Sequence, residues 1–595
     1  DLAIRTIDKN LAVNAGAGTG KTKVLTERYL YILEKGNLEK NKEIESIVAI
    51  TFTKKAAQEM KDRIREEIRK RFSEGSKWRR FYRDLEKANI STIHSFCANM
   101  IRENPLKAKV DPMFKVIEQS EGELILEEVI RNILIQGIEK DENTYNLVRM
   151  FKKDELDNIA EELKKIYNKI RTAGYSFEEV KSITLSRINS FSVDDKDLDR
   201  IRDLFTYLIG KSRRNSKFRK LPSDDVWIKF NEGNYTEDEL IQILEYLLEN
   251  IGDMKDEQDA VDELNSLINK VLYIKEKYNI WAYEAFLDLM IGIDREYRRR
   301  KDEIGSLDFD DLQIIALKLL EDNSIREEYQ AKYKYIMVDE FQDTNEVQKQ
   351  IFYKLCSKEK LLDRNNLFVV GDPKQSIYGF RGADLDVFYQ VVEDIEKVSN
   401  QKPINLDKNF RTVDTVLNFI NSLFSRLMGD RYISLKEHYK SNNRIDVEIL
   451  EKKVETPPNV KKSDYNLYIE SRLIAARIRE LMDKGPYNYG DFCLLFRAAT
   501  NDYIYEEALK EYGIPYYNFG GKGLFESQEI KDLMNGLKAI SNRYDTVATI
   551  GFLRSPMIGL SDRTLYWLLR NKKDNLLNTL EEDIPHIGEK EKAKR

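Results

Sequence analysis

Hydrophobic and polar positions change their period several times along this chain. Asn10-Leu11-Ala12-Val13 is a short apolar run that predicts a buried strand, and "KVLTERYLYIL" behind it carries Val24, Leu25, Tyr29, Leu30 and Leu33 at helical spacing. Between the two lies the small-residue stretch "AGAGTGKT". The same strand-then-helix form recurs at apolar Ile47 to Ile50, followed by an amphipathic helix from Ala56. From about 116 to 300 the pattern turns into long, charged helical stretches such as "EGELILEEVIRNILIQGIEK" and "DELDNIAEELKKIYNKI". Strand patterns return at "YKYIMVDEF", "NLFVVGDP", "QKPINLDKNFRT" and "YGDFCLLFRA", and from about Glu526 the chain is helical again. The patterning predicts an α/β core interrupted by a helical insertion and followed by a second α/β unit.

Composition narrows the class. With 595 residues, 34% charged and 41% hydrophobic, the chain is long enough for several domains of ~100–200 residues each. It contains no apolar run of about 18 residues and opens without a charged-then-apolar leader, so a cytoplasmic protein with no membrane attachment is expected. Cys97, Cys356 and Cys493 stand far apart without a C-x-x-C, and His94, His438 and His586 complete no zinc or iron–sulfur framework. A net charge of −6 argues against a generally basic coat, so a polyanion must meet a local groove. The start at Asp1 and the ending "EKEKAKR" are expected to be those of a fragment of a longer gene product.

Candidate chemistry begins at Ala15-Gly16-Ala17-Gly18-Thr19-Gly20-Lys21-Thr22, which matches the phosphate-binding loop except that Ala15 stands where the strict pattern has Gly. Missing side chains let backbone N–H groups close on phosphates, with a helix N-terminus aimed at the same anion. Lys21 would reach the β- and γ-phosphates of ATP, and Thr22 would place its hydroxyl on Mg²⁺. In "YIMVDEFQDTN", Asp339 would help hold Mg²⁺ and Glu340 would polarise the attacking water. Adjacent acids at a strand end are also common as solvated turn residues. "VVGDPKQSIYGFRGAD" adds Gln375 as a γ-phosphate sensor, and "LDKNFRT" adds Arg411 to neutralise transition-state charge. Tyr378 and Phe380 of the same stretch read, by residue type alone, more readily as core aromatics than as faces offered to a polymer.

The stretches "AGAGTGKT", "TFTKKAAQEM", "STIHSFC", "VDEFQDTN", "VVGDPKQSIYGFRGAD" and "LDKNFRT" occur in the order of the motifs of the UvrD-like superfamily 1 DNA helicases, which the chain resembles over most of its length outside the insertion. "SLDFDDL", "ENPLKAKVDPMF", "GGKGLFESQEIKDL" and "FLRSPMIGLSD" resemble the AddA and RecB helicase–nuclease branch. The resemblance implies a P-loop NTPase with two RecA-like motor domains, the second incomplete, and helical inserted subdomains. The expected domains are 1–115 and 301–400 for the first motor domain, 116–300 for its insertion, 401–525 for the second motor domain, and 526–595 for the start of a second insertion.

By the same resemblance, Lys21, Thr22, Asp339, Glu340, Gln375 and Arg411 form the ATPase centre, and Lys23 and Phe410 sandwich adenine. Phe52, Tyr378 and Phe380 stack bases of single-stranded DNA, with Thr51, Thr53, His94 and Arg381 as polar positions of the same track. The family's adenine-selecting glutamine should lie upstream of "DLAIRT", and neither a "GLEF"-like motif nor a "DYK" nuclease signature is found. The implied activity is ATP-dependent 3′→5′ DNA unwinding in double-strand break repair and recombination, on single-stranded and duplex DNA, with an AddB/RecC-like partner subunit. The alternatives are a UvrD/PcrA-like repair helicase without nuclease, or an ATP- and DNA-binding fragment lacking turnover. The basic runs "KSRRNSKFRK" and "DREYRRRK" are candidate duplex grips, or solvated helix faces.

Overall fold

A computed structural model describes residues 1–150, 156–212, 219, 224–249, 257–379, 382–429, 432–441, 447–458, 460–519, 528–571, 575–580, 584 and 586–587. Its strands are β1 (Leu11–Ala15), β2 (Ile47–Thr51), β3 (Asn89–Thr92), β4 (Lys115–Val116), β5 (Ser306–Leu307), β6 (Tyr335–Val338), β7 (Leu367–Gly371), β8 (Ile404–Leu406), β9 (Lys408–Val413) and β10 (Lys436–Tyr439). Six of them form one parallel sheet in the order β3-β2-β6-β7-β1-β8. A parallel sheet is covered on both faces, so its strands read as continuous apolar runs. Accordingly, Ala12, Val48, Ile50, Ile336, Val338 and Val369 enter one core, while Leu11, Val13, Ile47, Ala49, Met337 and Val370 enter the other.

The chain packs as two compact units, Asp1–Val447 and Glu448–Arg595. Within the first, β4 pairs in parallel with β5, bringing the two ends of the helical insertion side by side. The insertion holds two apolar cores of its own, one around Leu134, Leu163, Tyr167 and Met290 and one around Phe205, Phe230, Leu244 and Leu264. Its inner end is fastened by buried ions. Arg171, near the end of helix Leu156–Thr172, meets Asp311 at 2.7 Å. Lys301, near the end of helix Ile280–Glu303, meets Asp308 at 2.5 Å and also Asp311. Asp308 caps helix Phe309–Leu319 in a reciprocal capping box with Asp311. The run "DREYRRRK", a candidate duplex grip or solvated helix face, is largely turned to pairing within the chain. Lys301 is 2% exposed, Arg298 pairs with buried Asp294, and Arg299 and Arg300 pair with Glu296. The other run, "KSRRNSKFRK", lies mostly outside the described residues.

Two expectations meet a different outcome. Strand β8, in the segment expected to open the second motor domain, instead completes the first sheet beside β1. The expected strand in "YGDFCLLFRA" is not formed: Tyr489–Asp491 is a short 3₁₀ turn, and the second unit has no strand among its described residues. An apolar run becomes a strand only where a neighbour takes its backbone hydrogen bonds. That unit is built instead of helices, with Lys462–Lys484 packing on Asp502–Glu511 through Ala475, Ile478, Ala508 and Leu509.

Candidate nucleotide site and aromatic pair

All strands of the main sheet point the same way, so the segments following β1, β2, β3, β6 and β7 emerge at one edge, where open α/β sheets bind their ligands. After β1 the chain turns through Gly16 to Gly20 into helix Lys21–Lys35. Gly18 and Gly20 adopt φ of 73° and 89°, a region that favours glycine. The Thr19 hydroxyl donates to the Gly16 carbonyl at 2.8 Å, closing the loop on itself. Thr22 is half-buried in the first turn of the helix, and Lys23 beside it is exposed.

Lys21 Nζ donates to both carboxylate oxygens of Glu340, at 2.8 and 2.7 Å. Glu340 reaches it from the end of β6 through a left-handed backbone, φ 50° and ψ 44°. That conformation costs a non-glycine residue roughly 1–2 kcal/mol and turns the carboxylate toward the loop. Burial, reinforced by the neighbouring Glu340 charge, pushes Asp339 up to about 6. The same two causes push Asp343 up to about 6, and one of its carboxylate oxygens is buried without a hydrogen-bond partner. Crowded carboxylates with an orphaned oxygen form a donor set that suits a hard divalent cation, with Asp339 and the Thr22 hydroxyl as the expected Mg²⁺ ligands.

A hydrogen-bond chain runs from this acid turn to the β7 loop. Gln342 Nε2 donates to Glu340 at 2.9 Å, and Gln342 Oε1 accepts from the Asp372 backbone N–H at 2.9 Å. Asp372 in turn accepts from Gln375 Nε2 at 2.7 Å. Gln375 is thus tied to Glu340 through two intermediates. Gln342 and Asp372 did not stand out in the sequence, although both sit inside the quoted motifs.

The arm made by β9 and β10 lies on the phosphate loop. Asn409 Nδ2 donates to the Ala17 carbonyl at 2.7 Å, and the Phe410 N–H donates to the Gly18 carbonyl at 2.8 Å. Asn409 Oδ1 accepts from the Arg411 and Thr412 N–H groups at 2.8 and 2.7 Å. A Cβ on Gly18 would stand 2.8 Å from both Arg411 Cβ and Asn409 Nδ2, and one on Gly16 would stand 2.5 Å from Leu435. The glycines therefore serve close approach by the arm as well as by phosphate. Arg411 is exposed beside the loop, and Phe410 is exposed with its ring 4.8 Å from that of His438. Asn409, the buried residue just before the two residues singled out in "LDKNFRT", was missed because its partner is remote in sequence.

The expected DNA positions separate into groups. Phe52, just past β2, and Tyr378, past β7, come together with ring centroids 4.3 Å apart, each partly exposed. Thr53 caps helix Lys54–Lys70 by accepting from the Ala56 N–H, and buried Thr51 donates to the Thr53 carbonyl. His94 packs against Phe309 with ring centroids 4.4 Å apart and planes tilted by 37°, and meets Gln313. Phe380 and Arg381 lie outside the described residues. No helix among the described residues is long and apolar enough to cross a membrane.

A parallel sheet whose first strand leads into a glycine loop, with a lysine held against the glutamate of an acidic pair at the end of another strand, defines a P-loop NTPase core. Comparison with known families makes the assignment specific. Residues 1–396 match the UvrD/REP helicase N-terminal domain and residues 404–585 match the UvrD-like helicase C-terminal domain. The chain belongs to the UvrD-like helicase family. It is 30% identical to an ATP-dependent helicase/nuclease subunit from Listeria monocytogenes serotype 4b, over 96% of this chain and 53% of that protein. The protein of the same description from Clostridium beijerinckii is 28% identical, over 99% of this chain and 54% of that one. The chain spans about half the length of the curated relatives it matches.

Proposed function

We propose that this chain carries the ATP-hydrolysing and single-strand-tracking part of an ATP-dependent DNA helicase of the AddA/RecB type, acting 3′→5′ in break repair beside a partner subunit. The observation that supports it best is the juxtaposition at one sheet edge. Glu340 of the Lys21–Glu340 pair and Phe52 of the partly exposed Phe52–Tyr378 pair follow the neighbouring strands β6 and β2. The relatives' description as a helicase/nuclease subunit favours the branch, the partner and a nuclease elsewhere in the intact protein.

In this reading ATP is the substrate. Backbone N–H groups of Gly16 to Gly20 and the Lys21 ammonium take the phosphates, so Lys21 exchanges Glu340 for phosphate oxygen. Freed of its ion pair, the Glu340 carboxylate accepts a proton from the water that attacks the γ-phosphorus, while the bond from that phosphorus to the β–γ bridging oxygen breaks. A Mg²⁺ ion held by Thr22 and Asp339 would supply neutralisation of phosphate charge. Gln375 feels the change through Asp372 and Gln342, and Arg411 on the arm faces the developing charge. Tyr378 lies three residues beyond Gln375, so the phosphate-sensing and base-stacking groups share one short segment.

The test is ATP-dependent strand separation by the full-length protein on duplexes with a single-stranded tail at either end. Unwinding of the 3′-tailed substrate alone, abolished by Glu340→Gln, is expected. Equal unwinding of 5′-tailed duplex, or activity surviving in Glu340→Gln, would refute the assignment.

A further inference from the structure

Gln313 was not among the residues singled out in the sequence, yet it is 3% exposed and its side-chain amide is fully engaged. Its Nε2 donates to the Phe309 carbonyl at 3.1 Å and lies 3.2 Å from His94 Nε2. Its Oε1 accepts from Asn345 Nδ2 at 3.2 Å. A carbonyl can only accept, so the amide nitrogen must face Phe309, and the second N–H of that nitrogen is left for His94. His94 Nε2 then accepts, which places the ring proton on Nδ1.

The other end of the bridge is equally constrained. Asn345 is buried, and its Oδ1 caps helix Glu346–Cys356 by accepting from the Gln348 N–H at 2.9 Å. The cap stands two residues after the Phe341–Asp343 turn that follows left-handed Glu340. His94 itself packs against the ring of Phe309, the first residue of the helix that carries Gln313. One amide therefore joins three segments: the helix after β3, the helix after β5, and the acid turn after β6.

We propose that Gln313 is a positioning residue that couples the single-strand track at His94 to the acid turn of the ATP site, so that DNA engagement accelerates hydrolysis through it. The proposal rests on the helicase reading above. Movement or rotation of His94 on contact with DNA cannot leave Gln313 where it is, because the amide has no spare donor. The same rigid planar group holds Asn345, and through it the start of the helix that anchors the turn.

The experiment measures ATP hydrolysis by the full-length protein with and without oligothymidylate. Gln313→Leu removes all three contacts of the amide at similar volume. Its DNA-stimulated kcat is expected to fall about tenfold, the factor one ordinary hydrogen bond is worth. The DNA-free rate and the KM for ATP should stay within about twofold, as for sites that act independently. Gln313→Glu keeps an acceptor for Asn345 but sets a carboxylate against the Phe309 carbonyl, and is expected to lose the stimulation as Gln313→Leu does. Adding His94→Ala to Gln313→Leu should cost no more than the larger single loss. Unchanged stimulation in Gln313→Leu overturns the proposal, and so does a DNA-free rate that falls in equal proportion, since that marks a purely structural role. A wild-type protein whose ATPase ignores DNA would instead refute the helicase reading itself.

Discussion

Replacing Asn409 by alanine tests how the arm is seated on the phosphate loop. The side chain is 2% exposed and makes three hydrogen bonds, one to the Ala17 carbonyl and two from the Arg411 and Thr412 N–H groups. Each is worth ~1 kcal/mol net, and buried groups left unpaired cost at least as much, so about 3 kcal/mol that holds Arg411 over the loop is lost. If that energy is expressed in the transition state, where Arg411 is needed, it corresponds to about a hundredfold in kcat at 1.36 kcal/mol per decade. The KM for ATP should change far less, because the N–H groups of the loop and Lys21 are untouched. Asn409→Asp separates the two roles: it keeps the acceptor for both N–H groups and sets a carboxylate against the Ala17 carbonyl, so it should unseat the arm while leaving its own turn intact. DNA-stimulated ATPase kinetics, with nucleotide affinity measured separately, decide the matter. An Asn409→Ala protein with kcat within about threefold of wild type would refute the reasoning, since less than 1 kcal/mol would then pass through this contact.

Other consequences follow from the same geometry. Phe52→Ala and Tyr378→Ala should each weaken binding of oligothymidylate by about 1–3 kcal/mol while leaving ATP affinity unchanged; unaltered DNA affinity in both would remove them from the track. Lys301→Met leaves half-buried Asp308 and buried Asp311 without their shared cation, and thermal unfolding should show a loss of about 3–5 kcal/mol; a neutral result would mean that Arg171 alone balances the pair. Burial, with the Asp308 charge second, pushes Asp310 up to about 6 from the ordinary carboxylate value of 3.8. A carboxyl whose native pKa is raised stabilises the fold below the unfolded pKa, and that contribution is lost as pH rises through about 6. Asp310→Asn should therefore raise the melting temperature at pH ~8, by the equivalent of up to about 3 kcal/mol, and leave it nearly unchanged near pH ~3.5. The same gain at both pH values would contradict the assigned cause.

What the sequence could and could not reveal follows from the range of each signal. Strands β1, β2, β6 and β7 were legible because a strand covered on both faces is an uninterrupted apolar run, and the glycine loop because its chemistry is contained in eight consecutive residues, Ala15 to Thr22. Resemblance placed Asp339, Glu340, Gln375 and Arg411 in one site, and the structure brings Glu340 onto Lys21 across 319 residues. The supporting side chains were not legible, since Asn409 finds Ala17 392 residues away and Gln313 finds His94 219 residues away, with no local pattern marking either contact. Periodicity also misread "YGDFCLLFRA", which forms no strand and leaves Cys493, Leu495 and Phe496 exposed. At "DREYRRRK", Arg298, Arg299 and Arg300 stay partly exposed in ion pairs, as on a solvated helix face, and only Lys301 departs from that reading, drawn inside by Asp308 and Asp311.

The most direct test of the central claim is steady-state ATP hydrolysis by the full-length protein with and without single-stranded DNA, compared between wild type and Glu340→Gln. The account predicts hydrolysis that single-stranded DNA accelerates, and a Glu340→Gln protein that binds ATP but loses turnover by at least about a hundredfold, the scale of a lost general base. Hydrolysis that persists in Glu340→Gln, or that is indifferent to DNA, would contradict it.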